Sequence, residues 1–554
     1  MTSKPPTSTL NTSILPLPGN TRAYTHLAFL GMFLASALLS LTFATQAQQA
    51  WLQCCGVLLA VGLHVLVWQR RNWSKLWLVF ALLPVVLSAC ALLVTDWSAR
   101  VGRYGWLDSL LNWLLMARSV GTVGLWNAHA VGGALAMLLP LQICAVSRLP
   151  RVLAIAAVSI TVVTAALSGS HAIWLALVIG IISYIMLTGL RSLGSVALNR
   201  IWLAGIVLAG LIFVVGFNMQ LSLTQGQPLY NGSRTLLWQH SLLMARDFAF
   251  TGIGFGNFPM ALSSYVLLLH VPFLSHAYQL WINLWLNQGI LGLVAWCGLL
   301  LTILHKNDSP WRVPALSSLM VVLIYGLIDD PFYGYGGVML PLLLLPQALL
   351  APRFKFNWGW SAVPRAGSSI GKALLLSTAP LTMLVMLVAA IPAWRSSWHA
   401  NLGALSQLRT ELSIYRWPDF SVQDQLRISP NIDLGVALSE YHTALQLDKT
   451  NATANERLGQ IELARAEWPV AHQHIQAAWL SAPNRRATQQ IMGELYALEG
   501  KPEPAAALWQ KLDMQQGQLA IRESWYRHVL GTRNLADLMA GALKAGSLQN
   551  AQGH

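Results

Sequence analysis

The chain has 554 residues, a mean hydropathy of +0.51 and only 10% charged residues, a combination typical of a protein that crosses a membrane many times and carries some soluble mass. Its formal net charge of +14 belongs entirely to residues 1–394, which contain 20 Lys and Arg against six acids. This excess reflects membrane topology, so we discount nucleic-acid binding as the function.

The first 394 residues alternate long apolar runs with shorter polar loops, and a helix needs about 20 apolar residues to cross a bilayer. The sequence therefore predicts an all-α transmembrane bundle over residues 26–394, after a polar N-terminal segment at 1–25. About eleven spans are predicted, at residues 26–46, 50–68, 75–95, 126–147, 151–168, 171–190, 200–217, 277–304, 312–328, 338–350 and 372–393. Span 338–350 is the weakest, because it is short and lies between two prolines.

The distribution of Lys and Arg predicts how the spans are oriented. Fifteen of these residues lie in loops on the side of the N-terminus and five in loops on the opposite side, so the N-terminus is predicted to be cytoplasmic. Eleven spans then place the large loop 218–275 and the C-terminal part on the outer face of the membrane. Without span 338–350, the C-terminal part would lie inside.

The C-terminal part has a different pattern. After a predicted linker at 395–431, residues 432–554 are helical in pattern, and similar residues recur 34 positions apart, as in Leu458-Gly459 and Met492-Gly493. This spacing resembles the tetratricopeptide repeat, in which paired helices stack and bury each other's apolar faces. An ordinary helical bundle is the alternative. The resemblance implies a concave surface that would bind a protein partner or a protein acceptor.

Several short motifs in the membrane part occur in a fixed order between Trp126 and Gly292. They are Trp126-Asn127-Ala-His129, Ser168-Gly-Ser-His171, Gly232-Ser-Arg234, Trp238, Gly252-Ile-Gly254-Phe-Gly256, His276 and Gly289-Ile-Leu-Gly292. Together they resemble the O-antigen ligase/polymerase superfamily, which includes lipopolysaccharide O-antigen ligases, O-antigen polymerases and bacterial protein O-oligosaccharyltransferases. The resemblance covers about residues 120–350.

The resemblance implies transfer of a glycan from an undecaprenyl-diphosphate carrier to a hydroxyl of a glycan, lipid or protein acceptor, without a metal or other cofactor. Arginine can hold a diphosphate through two parallel hydrogen bonds, and we predict this role for Arg234. A neutral imidazole can take the proton of the acceptor hydroxyl, and we predict this catalytic role for His276. The structural alternatives are an arginine bound to lipid headgroups and a histidine that caps the span.

Other residues are predicted to bind substrate. Arg246 is a reserve cation for the diphosphate, with pairing to Asp247 or exposure to solvent as the alternatives. His171 stands where the family has an arginine, so the second cation for the diphosphate is either lost or supplied by a protonated histidine. The pair Asp329-Asp330 would orient the imidazole or bind the acceptor, with capping of a loop as the alternative.

Three further features of the sequence bear on these predictions. Residues Ala-Tyr-Gln follow His276 where the family often has a second histidine, so one histidine of the family pattern is missing. The glycines at 252, 254 and 256 follow no predicted strand, so we expect them to turn the loop closely over the substrate and not to bind a dinucleotide. No Asp-x-Asp or Glu-x-Asp pair occurs in the predicted outer loops, and the five cysteines lack metal-ligand spacing, so no metal site is predicted.

Two other classes of function stay open. Some members of the superfamily have been linked to inorganic carbon uptake, so a transporter of a bicarbonate-type solute is one alternative, although the predicted spans are nearly free of the charged residues that transporters use. The other alternative is a non-catalytic scaffold that assembles envelope proteins through its helical repeats. Deleting residues 432–554 is expected to distinguish an enzyme from a scaffold, because an enzyme should retain basal transfer and a scaffold should lose its whole phenotype.

Overall fold

The computed structural model describes residues 19–70, 74–95, 126–223, 234–265, 274–304, 309–352, 389–413, 423–512 and 516–552, with isolated positions at 97, 105, 108, 109, 112 and 386. The described residues are predominantly helical, which confirms the predicted all-α fold. The α-helices are α1 (Gly19–Phe43), α2 (Ala47–Arg70), α3 (Leu76–Val94), α4 (Ala128–Val146), α5 (Arg151–Leu167), α6 (His171–Gly189), α7 (Gly194–Leu223), α8 (Arg234–Asp247), α9 (Phe258–Tyr265), α10 (Leu280–Thr302), α11 (Arg312–Tyr325), α12 (Leu345–Leu350), α13 (Pro392–Ser413), α14 (Gln423–Arg427), α15 (Gly435–Leu447), α16 (Ala452–Ala464), α17 (Trp468–Ser481), α18 (Arg486–Leu498), α19 (Pro502–Lys511), α20 (Gln516–Ser524) and α21 (Arg533–Gln552).

The membrane part is a bundle of apolar helices. Among the described residues, seven helices are long and apolar enough to cross a membrane, namely α1 to α4, α6, α7 and α10, and α5 and α11 are shorter apolar helices. Each of the first nine predicted spans coincides with one of these nine helices. The eleventh, at 372–393, lies mostly outside the described residues.

The weak predicted span at 338–350 does not form one continuous helix. It consists of a 3-10 helix at Leu340–Leu342 followed by α12, and each begins with a proline in its first turn. Proline has no backbone N–H and is tolerated only at the start of a helix, so two prolines five residues apart divide the segment. Both pieces are almost entirely buried and pack against α2.

Helix α4 lies at the centre of the bundle, where nearly all of its residues are buried. Its two adjacent glycines allow close approach on two sides. A Cβ added at Gly132 would lie 2.6 Å from Cδ1 of Ile173, and one added at Gly133 would lie 2.7 Å from Cε1 of Tyr325. The helix is therefore in tight contact with α6 and α11, two elements that lie beside the candidate site.

The C-terminal part consists of antiparallel helix pairs. In α16/α17 and α18/α19, a glycine of the first helix touches the second helix, with Gly459 against Ile475 and Gly493 against Trp509, so each contact recurs after 34 residues. The same contact joins Gly403 of α13 to Tyr441 of α15. Helix α13 therefore belongs to the first pair, although the sequence predicted a linker at 395–431. The period did not reveal α13 because additional residues that include α14 separate it from α15.

A second apolar core joins the two parts of the molecule. It contains buried residues of α8, such as Leu237 and Met244, the start of α10 at Ile282 and Leu286, and buried residues of α13, α15 and α16. The helix pairs are thus packed directly on the segment that connects α7 with α10. This packing places the C-terminal part on the same end of the bundle as the candidate site.

Candidate active site

Arg234 is the first residue of α8, and its guanidinium is held from one side. Nη1 donates a hydrogen bond to the carbonyl oxygen of Ile328 at 3.0 Å, and Nη2 lies 3.7 Å from Oδ2 of Asp329. Cζ lies 5.2 Å from the ring centre of Tyr278. The arginine side chain is 38% exposed, against 1% for the aspartate, so part of the guanidinium is accessible to a ligand.

His276 lies just before α10 and is buried. Its Nδ1 is 2.8 Å from Oγ of Ser275, and its ring centre is 4.0 Å from that of Tyr278. The Tyr278 ring thus contacts both the imidazole and the guanidinium of Arg234. Tyr278 has a φ of 50°, a left-handed conformation that costs free energy in a bulky residue and that clusters at functional sites.

The environment of His276 keeps its imidazole neutral. Burial, followed by the positive charge of Arg234 and then by His129, lowers the pKa of His276 to about 3. Each of these effects disfavours the protonated ring, since a cation loses hydration when buried and is repelled by a neighbouring cation. The ring is therefore a hydrogen-bond acceptor and donor, and not a cation, at neutral pH.

The two aspartates that follow α11 have different surroundings. Oδ2 of Asp330 accepts from Nδ2 of Asn283 at 2.6 Å, and its Oδ1 accepts from the backbone N–H groups of Phe332 and Tyr333. Burial raises the pKa of Asp330 to about 6 despite these hydrogen bonds. The Asp330 carboxylate therefore caps a turn, the alternative considered from the sequence, whereas Asp329 faces Arg234.

Two residues that the sequence did not single out fix the geometry. Asn283 accepts a hydrogen bond from the N–H of Ala277 at 2.9 Å while it donates to Asp330, so it ties the His276 segment to the turn after α11. Gly334 contacts the imidazole so closely that an added Cβ would lie 2.6 Å from Nε2 of His276. Neither has a local sequence signal, because each acts on a residue that is distant in the chain.

His129 is a third residue of the site without a predicted role. It follows Asn127, whose Oδ1 accepts its N–H at 2.8 Å and caps the start of α4. A positive charge on His129 would lower the pKa of His276, as the third cause after burial and Arg234. The motif Trp126-Asn127-Ala-His129 carried the signal for this position, although we assigned it only to the start of a span.

Arg246 and His171 are both exposed. Arg246 is exposed in the last turn of α8, about 18 Å along the helix axis from Arg234 at 1.5 Å per residue. The alternative pairing of Arg246 with Asp247 is replaced by a pairing of Asp247 with Arg485. His171 is exposed at the start of α6, after a turn that packs on α4. The structure therefore groups Arg234, His276, Asp329 and Asp330, and it places Arg246 away from them.

The glycines at 252, 254 and 256 have positive φ angles and bring the loop against protein backbone. An added Cβ would lie 2.5 Å from the carbonyl oxygen of Leu286 at Gly252 and 2.9 Å from the carbonyl carbon of Phe43 at Gly254. The loop is thus fastened to α10 and to the turn between α1 and α2. The expectation that these glycines turn the loop over a substrate is replaced by this packing role.

Part of the chain matches a known protein family. The model of the O-antigen ligase family matches residues 156–297, a stretch that contains Arg234, Arg246, His171 and His276. No curated protein and no solved structure matches the chain. The matched residues include α6, α7, α8 and most of α10, so they form part of the bundle and of the candidate site. The chain is a multi-pass membrane protein, and residues 156–297 of its membrane part match the O-antigen ligase family, which supports the O-antigen ligase/polymerase superfamily of membrane glycan enzymes.

Proposed function

We propose that the protein is a glycosyltransferase that moves a glycan from undecaprenyl diphosphate to an acceptor hydroxyl at the outer face of the cytoplasmic membrane. The observation that supports this most is the contact of Arg234 and His276 with one Tyr278 ring at the end of the bundle. A cation for the leaving group and a neutral base for the nucleophile are the two groups that such a transfer needs.

His276 and Arg234 act on different groups in the proposed reaction. The acceptor oxygen forms a bond to the anomeric carbon of the glycan and releases its proton to the imidazole of His276. The bond from that carbon to the phosphate oxygen breaks, and undecaprenyl diphosphate leaves with the bonding electrons. The guanidinium of Arg234 stabilises the negative charge that develops on the diphosphate. The roles assigned to these residues require no metal.

A base with a pKa of about 3 is weak, but binding of the glycan donor changes its surroundings. The charge of Arg234 is the second cause of the low pKa of His276. A bound diphosphate would neutralise that charge and place negative charge near the imidazole, and both effects raise the pKa of a histidine. We therefore propose that donor binding converts His276 into a better base.

The acceptor can be a glycan, a lipid or a protein, and these define a polymerase, a ligase and a protein O-oligosaccharyltransferase. A deletion strain distinguishes the first two. Accumulation of long lipid-linked chains is the result expected for a ligase, and accumulation of single lipid-linked repeat units is the result expected for a polymerase. Deleting residues 432–554 is a less clean test of scaffold function than the sequence indicated, because it removes residues of the apolar core that α8 shares, such as Tyr441 and Leu458.

Transfer should depend on His276 but not on Arg246. In membranes supplied with an undecaprenyl-diphosphate oligosaccharide, His276→Ala is expected to lower the transfer rate about 100-fold or more, since a positioned acid or base contributes that much. Arg246→Ala changes an exposed residue in the last turn of α8, and its transfer rate should stay within about twofold of that of the unchanged protein. A normal rate in His276→Ala membranes would remove the histidine from the mechanism and leave the proposed function without its base.

The pH dependence of kcat/KM should lack a histidine step in the physiological range. The pKa of His276 lies below its usual 6.5, at about 3 in the free protein, so the ring stays neutral as the pH falls from 8 to 5. Asp330, with a pKa of about 6, becomes protonated in this range, so any acid limb near pH 6 should disappear in Asp330→Asn. A one-proton limb near pH 6.5 that persists in Asp330→Asn would contradict a neutral, buried imidazole.

A further inference from the structure

A buried ion pair joins the helix that carries Arg234 to the C-terminal helix pairs. Asp247, the last residue of α8, is buried, and its Oδ1 and Oδ2 lie 3.1 Å and 3.2 Å from Nη2 and Nη1 of Arg485. Thr453 of α16 donates a hydrogen bond to Oδ1 of the same carboxylate. Two residues more than 200 positions along the chain thus bind the end of α8.

This carboxylate needs external partners because of where it lies. The C-terminal end of a helix carries partial negative charge, which repels a carboxylate, and burial removes the water that would otherwise stabilise it. The planar guanidinium of Arg485 meets both carboxylate oxygens, the geometry in which arginine binds most strongly. The position of the end of α8 is therefore coupled to the position of Arg485, just before α18.

The residues that follow α8 are fixed from the same side. Oδ1 of Asn401, in α13, accepts from the N–H groups of Phe250 and Thr251, and its Nδ2 donates to Oγ1 of Thr251 at 2.8 Å. The ring of Trp398 packs edge-on against Phe250, with ring centres 5.3 Å apart. Helix α8 is thus anchored to the helix pairs at its C-terminal end and to Ile328 and Asp329 at its N-terminal end.

The face of the helix pairs that binds Asp247 is covered by the chain itself. On α16 the buried side chains include Thr453, Glu456, Arg457 and Gln460, at the spacing of one helix face. Helix α14 packs on α16. Arg522 of α20 pairs with both Asp424 of α14 and Glu494 of α18. The chain's own segments thus occupy the part of this surface where a bound peptide would have to lie.

We propose that the helix pairs bind α8 and fix its position, an arrangement that we call the clamp, and that Arg485 is a positioning residue for Arg234. This inference rests on the proposed function, because Arg234 is taken as the residue that binds the diphosphate. It assigns the C-terminal part a role in the same active site, in place of recruitment of a partner through the covered face. Loss of the Asp247–Arg485 pair should misplace α8 and weaken diphosphate binding by Arg234.

The test measures equilibrium binding of undecaprenyl diphosphate to the purified full-length protein in lipid nanodiscs. Arg485→Ala is expected to weaken binding about tenfold in the otherwise unchanged protein. When Arg234→Ala is already present, adding Arg485→Ala should weaken binding by less than about twofold more, since effects transmitted through a shared residue are not additive. Arg485→Lys retains a cation and should recover part of the loss. Arg527→Ala removes an arginine between α20 and α21 that pairs with Glu523 and Asp537, and this variant should bind undecaprenyl diphosphate normally.

The variants distinguish the inference from the proposed function. If Arg234→Ala binds undecaprenyl diphosphate normally, the assignment of the diphosphate site is wrong. If Arg234→Ala weakens binding but Arg485→Ala has no effect, or the same effect with and without Arg234, the clamp is wrong and the proposed function stands. The clamp would also be wrong if Arg485→Ala and Arg485→Lys lowered the thermal unfolding temperature equally and weakened binding equally. Arg485 would then have a role in folding only.

Discussion

Replacing Arg234 with alanine should lower glycan transfer by about 100- to 1,000-fold, the range found when a fixed group that stabilises transition-state charge is removed. The guanidinium is held by the carbonyl oxygen of Ile328 and by Asp329, so it is already oriented before the glycan donor binds. A pre-oriented cation stabilises the departing diphosphate without reorganisation. The KM for the glycan donor should rise as well, because the ground-state diphosphate carries negative charge.

Arg234→Lys and Arg246→Ala are the matched variants for this experiment. Lysine keeps a positive charge but cannot form two parallel hydrogen bonds, so Arg234→Lys should have a rate between those of the alanine variant and the unchanged protein. Arg246→Ala removes a cation from the other end of α8 and should change neither the rate nor the KM. Equal losses in Arg234→Ala and Arg246→Ala would mean that general attraction of anions, and not a placed guanidinium, explains the effect.

The sequence predicted the residues that are chemically unusual for their surroundings. Arg234 and His276 were singled out as candidates because ionisable residues are rare in the membrane part, and because their order resembles that of a known family. Apolar runs likewise predicted the first nine helices of the bundle, with ends that lie within seven residues of those observed. Charge and hydropathy are properties of single positions and short windows, so they can be read directly from the chain.

The residues that position these side chains could not be predicted. Asn283 and Gly334 act on His276 through contacts that exist only after α10 and α11 have packed. Arg485 reaches Asp247 across 238 residues. An asparagine, a glycine or an arginine is ordinary at such positions, and its role follows from what the fold places opposite it. The 34-residue period likewise failed at α13, where additional residues interrupt the repeat.

The break in helix α10 also depends on contacts that form only in the folded protein. Helix α10 is interrupted at Gly289, where φ is 65° and ψ is −171°. Backbone hydrogen bonds cross this break, from the N–H of Ile253 to the carbonyl oxygen of Leu286 and from the N–H of Ile290 to that of Ala249. The break thus gives α10 a docking place for the residues that follow α8, and it fixes the end of α8 opposite to Arg234.

Gly289→Ala should therefore destabilise the protein by at least about 3 kcal/mol, since its backbone conformation is almost exclusive to glycine and the added atom has no room. A Cβ there would lie 2.2 Å from the carbonyl oxygen of Phe250. Thermal unfolding of the purified protein measures the loss, and limited proteolysis should detect release of residues 249–257. Transfer should fall with it, because α8 loses its anchor on α10.

Gly336→Ala is the control that separates backbone strain from collision. Gly336 has a φ of 79°, and no atom lies within 4 Å of an added Cβ, so alanine there should cost only the left-handed penalty of about 1–2 kcal/mol. An unfolding temperature for Gly289→Ala equal to that of Gly336→Ala would show that the Phe250 carbonyl moves aside at little cost. The break in α10 would then accept a side chain at position 289 without loss of stability, and the fixed position of α8 would have to come from the helix pairs alone.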